Sequence, residues 1–166
     1  LVNNAGMNHG MDLLTLTEKH WDQVIDINLK GTFLVTQAIV PFMLKQQSGV
    51  IVNFSSVAGM VGATSTAPAL AYNAAKQGVV AMTRTMARSF APLIRVNAIA
   101  PGLILTDFHV ASGGSEDAIK RRILDIPLGR GGQAREMAAT ALFLASDESS
   151  YIPGQTIVAD GGLAMP

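Results

Sequence analysis

The chain has 166 residues, 49% apolar and 14% charged, with acidic and basic side chains in equal number and no cysteine. That length suits one domain with a sizeable core, and the apolar content excludes general disorder. Zero net charge leaves no electrostatic footprint for nucleic acid or an anionic membrane, and no uninterrupted apolar run nears the ~20 residues of a bilayer span. The missing cysteines exclude disulfides and thiolate chemistry. The N-terminus carries no charged leader region, so the expectation is a soluble cytoplasmic protein with no nucleic-acid or membrane partner.

Leu1-Val2 followed by Asn3-Asn4-Ala5-Gly6 reads as a buried strand ending in a turn. Opening inside an apolar run without an initiator Met, the sequence reads as a fragment. Thr15 with Glu18 three residues on fits a capping box, which starts a helix near Thr17. A helical period of apolar residues then runs from Trp21 to about Gln47, with Asn28 and Gly31 predicting a kink midway. Val50-Ile51-Val52-Asn53-Phe54 is a β-branched run suited to a central parallel strand, and it ends in Ser55-Ser56.

Residues 60–70 read as loop, and a long helix carries Tyr72 and Lys76 through Phe90 to Pro92. Ile94 to Ala100 is the next strand, closed by Pro101-Gly102. Residues 103–134 read as an irregular lid: a short polar helix from Glu116 to Leu124 lies between Gly113-Gly114 and Gly129, Gly131 and Gly132, which suggests hinges. Arg121 and Arg122 on that helix read as solvated. Arg135 to Ser146 is a helix, and Thr156 to Ala159 a last strand before Asp160-Gly161-Gly162. Alternating strands and helices predict βαβ units around a parallel sheet, one domain over 1–166.

In such a sheet ligands bind beyond the carboxyl ends of the strands. Four candidate groups fall there: Asn3–Gly6, Ser55/Ser56, Tyr72/Lys76, and Pro101-Gly102 through Thr106. Four residues apart on one helix, Tyr72 and Lys76 share a face. A fixed ammonium beside a phenol favours phenolate and makes the pair an acid/base device. The three histidines lack metal-ligand spacing, and His109, in the lid, is the one placed to touch substrate. The eight methionines fit gap-filling and a soft substrate pocket rather than a metal site.

These pieces together resemble the classical short-chain dehydrogenase/reductase family over the whole chain. The matching segments are NNAG at 3–6, mid-helix Asn28, IVNFSS at 51–56, Y-x-x-x-K at 72–76, RVNAIAPG at 95–102 with Thr106, IPLGR at 126–130, and DGG at 160–162. The resemblance implies a doubly wound, Rossmann-like parallel sheet and an NAD(P)-dependent oxidoreductase acting on a small carbonyl or alcohol substrate. It implies Tyr72 as general acid or base, with Lys76 lowering its pKa and binding the nicotinamide ribose. Ser56 would bind the substrate oxygen, with Ser55 the neighbouring alternative, and Asn28 would hold a water that relays protons. Asn3, Ala5 and Gly6 would form a turn on the ribose, and Pro101, Gly102, Ile104 and Thr106 would lie along the nicotinamide and phosphates. NAD and NADP both stay open as cofactor.

One departure stands out. The family's glycine-rich turn after its first strand, and the residue that chooses between NAD and NADP, have no counterpart in these 166 residues, so the fold reads as N-terminally truncated. The alternative reading is a non-catalytic remnant or partner subunit unable to bind the dinucleotide. By the same resemblance the assembly is a homotetramer or homodimer packing helices 30–47 and 71–90. The apolar lid residues Leu103, Ile104, Leu105, Phe108 and Val110 favour a hydrophobic substrate.

Overall fold

The computed structural model describes residues 1–62, 69–112 and 115–165. Four parallel strands pair in chain order: β1 (Val2–Asn3), β2 (Gly49–Phe54), β3 (Ile94–Pro101) and β4 (Thr156–Ala159). The register sets Asn3 beside Asn53, Asn53 beside Ala98, and Pro101 beside Ala159, so neighbouring strands finish together. Helices occupy every crossover: α1 (Glu18–Ile25) and α2 (Gly31–Lys45); then α3 (Val57–Val61) and α4 (Leu70–Phe90); then α5 (Phe108–Ala111), α6 (Glu116–Leu124) and α7 (Ala134–Ala145).

Alternation along β2 and β3 divides the core between two faces. Ile51, Ile94 and Val96 meet Val40 and Met43 of α2 and Ala87 of α4 on one face. Val52 and Ile99 meet Met137 and Leu144 of α7 on the other. Both faces are therefore covered, which is the doubly wound arrangement, and the middle strands can be apolar throughout.

Two local expectations are revised, and the expected kink takes a definite form. The first-helix cap is Thr17, whose side chain accepts from His20 N, and Glu18 is the first helical residue rather than the third. Thr15 instead belongs to a turn closed by the Asp12 carboxylate, which accepts from the Leu14 and Thr15 amides. A capping box does occur, at α7, between Gln133 and Glu136. The kink at Asn28 is a π-helical turn over Asp26–Lys30 that joins α1 to α2. The resulting helical stretch Glu18–Lys45 is, by length and composition alone, apolar enough to cross a bilayer, with mean hydropathy 1.3 over its richest window. Scattered polar residues interrupt its apolar content. Here it lies against the sheet, with Asn28, Thr32 and Thr36 buried on the packed face. Its outer side leaves Phe33, Leu34, Val35 and Phe42 exposed.

The lid segment holds α6 where the sequence predicts it, together with the single turn α5, which it does not. Gly113-Gly114 and most of the 60–70 loop lie outside the described residues, as does the Val110 side chain.

Candidate active site

A cleft of about 920 Å³ opens at the carboxyl ends of β1, β2 and β3 and is roofed by α5 and α6. Its floor is the strand-to-helix turns: Asn4, Ala5 and Gly6 after β1, Ser55 to Ala58 after β2, and Pro101 and Gly102 after β3. The first turn of α4 brings Tyr72, Asn73 and Lys76 to one wall.

Lys76 is only 4% exposed, and its Nζ donates to the Phe54 carbonyl at 2.8 Å, which anchors it to the end of β2. That uses one of the ammonium's three protons. Burial without a carboxylate partner lowers its pKa from 10.5 to about 8. Ser55 donates to the Lys76 carbonyl at 2.8 Å and is buried, so this serine fastens α4 to β2. Ser56 caps α3 by accepting from Ala58 N and borders the cleft near enough to Tyr72 for its hydroxyl to pull the phenol pKa down, so this serine is the one facing the phenol.

Tyr72 is held above the ordinary phenol pKa, chiefly by burial, with the Ser56 hydroxyl and the Arg122 guanidinium pulling it down. Two cationic side chains lie near the phenol: the Lys76 Nζ is 5.5 Å from the ring centroid, and the Arg122 guanidinium pulls the phenol pKa down.

Asn28 is fully buried and sits behind the cleft rather than in it. Its amide donates to Met7 O and Val24 O, both at 2.8 Å, and accepts from Met7 N at 3.2 Å, which pins the turn after β1 onto the π-helical segment. The same amide and Lys76 converge at Gly6, where a Cβ would come 2.9 Å from Asn28 Oδ1 and 3.4 Å from Lys76 Nζ. Asn3 is not part of the cleft lining. Its amide donates inward to Thr36 Oγ1 (3.0 Å) and Asn53 Oδ1 (2.9 Å), so it ties β1 to α2 and β2, and Ala5 and Gly6 offer the bare backbone. Pro101, Gly102, Ile104 and Thr106 all border the cleft.

Two lid residues complete the wall opposite α4. Phe108 stacks obliquely on Tyr72 with ring centroids 5.9 Å apart, and His109 packs edge-on against Phe108. His109 is shifted below the ordinary imidazole value, mainly by burial and then by Arg122. Arg122 is not solvated as expected. It borders the cleft, and its Nε is enclosed with no hydrogen-bond partner among the described residues. The signal was present in the sequence, since Ala118, Ile119 and Arg122 recur at helical spacing and form the inward stripe of an otherwise polar helix. Met137 is the one methionine at the cleft among the described residues, so the sulfur-rich pocket is not found; Met43 and Met86 pack in or against the core beneath α2 and α4.

Comparison with known proteins places this arrangement. A family model described as enoyl-(acyl carrier protein) reductase matches residues 1–164. A 3-oxoacyl-[acyl-carrier-protein] reductase of Thermotoga maritima is 49% identical over 168 residues, covering 99% of this chain and 65% of the relative. One from Staphylococcus aureus is 46% identical over 166 residues, with coverage of 99% and 65%. Among solved structures, a gluconate 5-dehydrogenase from Burkholderia cenocepacia in complex with NADP and tartrate superposes with TM-score 0.92 at 32% identity, over 100% of this chain and 64% of that one. A 3-oxoacyl-[acyl-carrier protein] reductase from Brucella melitensis gives 0.90 at 38%, over 99% and 62%. The chain thus spans about 65% of the length of the curated relatives it matches. It belongs to the short-chain dehydrogenase/reductase family.

Proposed function

We propose that this short-chain dehydrogenase/reductase acts on a carbonyl or alcohol substrate with a nicotinamide nucleotide, and that Tyr72 moves the proton. The observation that carries the reading is the meeting of Ser56, Tyr72 and Lys76 in one cleft at the strand ends. Relatives named as 3-oxoacyl-[acyl-carrier-protein] reductases and an NADP-bound gluconate dehydrogenase support the reaction class.

The residues present fit the nicotinamide end of such a cofactor. Lys76 has two ammonium protons uncommitted among the described residues, which matches a pair of neighbouring ribose hydroxyls. Ala5, Gly6 and Gly102 let the backbone approach, and Ile104 and Thr106 line the same side. When bound, the reduced cofactor supplies hydride to the carbonyl carbon. Ser56 donates to the carbonyl oxygen as charge develops there, and Tyr72, neutral because burial raises its pKa, gives that oxygen its proton. In the reverse direction Tyr72 must first lose that proton, so oxidation rises with pH. Asn28, buried behind Gly6 and beside Lys76, would hold the Lys76 environment and a relay water.

The apolar outer side of α2 supports a homodimer or homotetramer that buries Phe33, Leu34, Val35 and Phe42. NADH and NADPH titration by fluorescence, followed by turnover with a carbonyl panel and product analysis, tests the reading. Tyr72→Phe should bind nucleotide and lose turnover by roughly 10²–10⁴-fold. Failure of either nucleotide to bind would favour a non-catalytic partner subunit.

A further inference from the structure

Among the described residues the cleft is bordered by two cationic side chains, Lys76 and Arg122, and by no Asp or Glu. Lys76 is accounted for, because its ammonium is tied to Phe54 O on the floor. Arg122 is not. It forms no ion pair and donates no hydrogen bond among the described residues, in contrast to Arg130, which forks onto Glu136. A guanidinium is a planar fork of five donors that stays charged under all ordinary conditions; Arg122 is half-buried with its Nε enclosed and unpaired, so that donor gains from an acceptor brought into the cleft.

Its place says what that something is. Arg122 faces the cleft from the lid, on the inward stripe with Ala118 and Ile119, and lies close enough to Tyr72 for each group's charge to act on the other. The phenol marks where the reacting oxygen sits, so the anion that Arg122 awaits is carried near the reacting carbon. The floor side, from Lys76 to Thr106, is where the nucleotide fits.

We propose that Arg122 is a specificity residue that binds a substrate carboxylate, so that the enzyme takes oxo acids or hydroxy acids in preference to neutral carbonyl compounds. This rests on the oxidoreductase reading above. A bidentate pair between guanidinium and carboxylate fixes orientation as well as charge. It would aim the carbonyl at Ser56 and Tyr72, with Phe108 and Ile119 covering the apolar remainder.

The test compares acetoacetate with its ethyl ester, which share the reacting ketone and differ in the charge. With NADPH or NADH in excess, the acid should have the higher kcat/KM. Arg122→Gln should reduce the acid-to-ester ratio by roughly tenfold to a hundredfold, mainly through KM for the acid. Arg122→Lys, which keeps charge without the fork, should recover part of the ratio. Arg121→Gln, on the exposed side of α6, should leave the ratio as it is.

An ester used as well as the acid by the wild type, or a preference that survives in Arg122→Gln, would overturn the proposal while leaving the oxidoreductase reading intact. Loss of nucleotide affinity in Arg122→Gln with an unchanged ratio would assign Arg122 to the cofactor and overturn it equally. If neither compound is turned over, the oxidoreductase reading is the one in trouble. Calorimetric titration of malonate then decides the anion site: binding that disappears in Arg122→Gln supports it, and absent or unaltered binding ends it.

Discussion

The floor and the lid of the cleft are built on opposite plans. On the floor almost every buried polar group is paired: Asn3 with Thr36 and Asn53, Asn53 with Thr83, Ser55 and Lys76 with backbone carbonyls. The lid brings Phe108, His109 and Arg122 to the same space on two short helices, and Arg122 Nε is left without a partner. A satisfied network fixes geometry, and an unsatisfied donor waits for a ligand. The proton chemistry therefore sits where positions cannot drift, and recognition sits where a new contact has something to gain.

The contrast breaks most visibly in stability. Asn53 is fully buried and bonded on both ends of its amide. Asn53→Ala leaves Asn3 and Thr83 each short of a partner and opens a small void, so it should cost on the order of 3 kcal/mol. Arg122→Leu removes a donor that has no acceptor, so chemical denaturation should place it within about 0.5 kcal/mol of wild type or above it. Equal losses in the two variants would erase the distinction between floor and lid.

Next in size is the joint between α3 and α4. A Cβ on Gly59 would lie 2.8 Å from Gln77 N and 2.9 Å from Lys76 Cβ, and backbone cannot give way as a side-chain tip can. Gly59→Ala should destabilise by about 1–3 kcal/mol and weaken nucleotide binding, because the helix that carries Lys76 must shift. Unchanged nucleotide affinity in a folded Gly59→Ala would mean that Lys76 tolerates more movement than the floor's hydrogen bonds imply.

Lys76 also gives the floor a pH signature. Its pKa falls from 10.5 to about 8 on folding, so between those values the native state binds fewer protons than the unfolded chain. Stability contributed by this group therefore rises with pH from about 8 to 10.5. Nucleotide affinity should move the other way, falling above pH 8 as the ammonium that would hold the ribose is lost. Opposed slopes in melting temperature and in nucleotide affinity across pH 7–10, both flattened in Lys76→Met, would identify the residue. Parallel slopes would point to another group.

Much of the scaffold was legible because it follows from period and punctuation. The β-branched run at 50–54, the long helix through Tyr72 and the polar helix at 116–124 lie where their patterns put them. Several segments that carry the family resemblance hold the fold together. Arg95 donates to Leu144, Ser146 and Ser149 at the end of α7, Asn97 is bonded to Ile152 O and Gln155 N, and Asp160 accepts from Gly162 and Ala164. Asn3 belongs with them. A string of letters does not tell which way an amide points, and an Asn at a strand end can face the ligand or the core. Arg122 is the converse case: its charge points to solvent, whereas the stripe it shares with Ala118 and Ile119 marks the inward side.

The smallest expected effect tests how the lid is moored. Arg130 closes the lid segment and forms a fork with Glu136, at 3.0 and 2.7 Å, while Glu136 also accepts from Gln133 N to cap α7. These bonds hold the partly exposed Glu136 carboxyl at about 2, well below its ordinary 4.5. A depressed folded pKa contributes stability that is complete above about 4.5 and is lost as pH falls toward 2. Glu136→Gln keeps the capping acceptor and removes the charge. Its melting temperature should fall slightly below wild type at pH 7 in low salt, and the gap should close on acidification below pH 4.5 or in high salt. The same variant should leave the preference for acid over ester untouched, since Glu136 anchors the lid from outside the cleft. A changed preference would mean that the mooring positions Arg122, and that recognition reaches beyond the residues bordering the substrate.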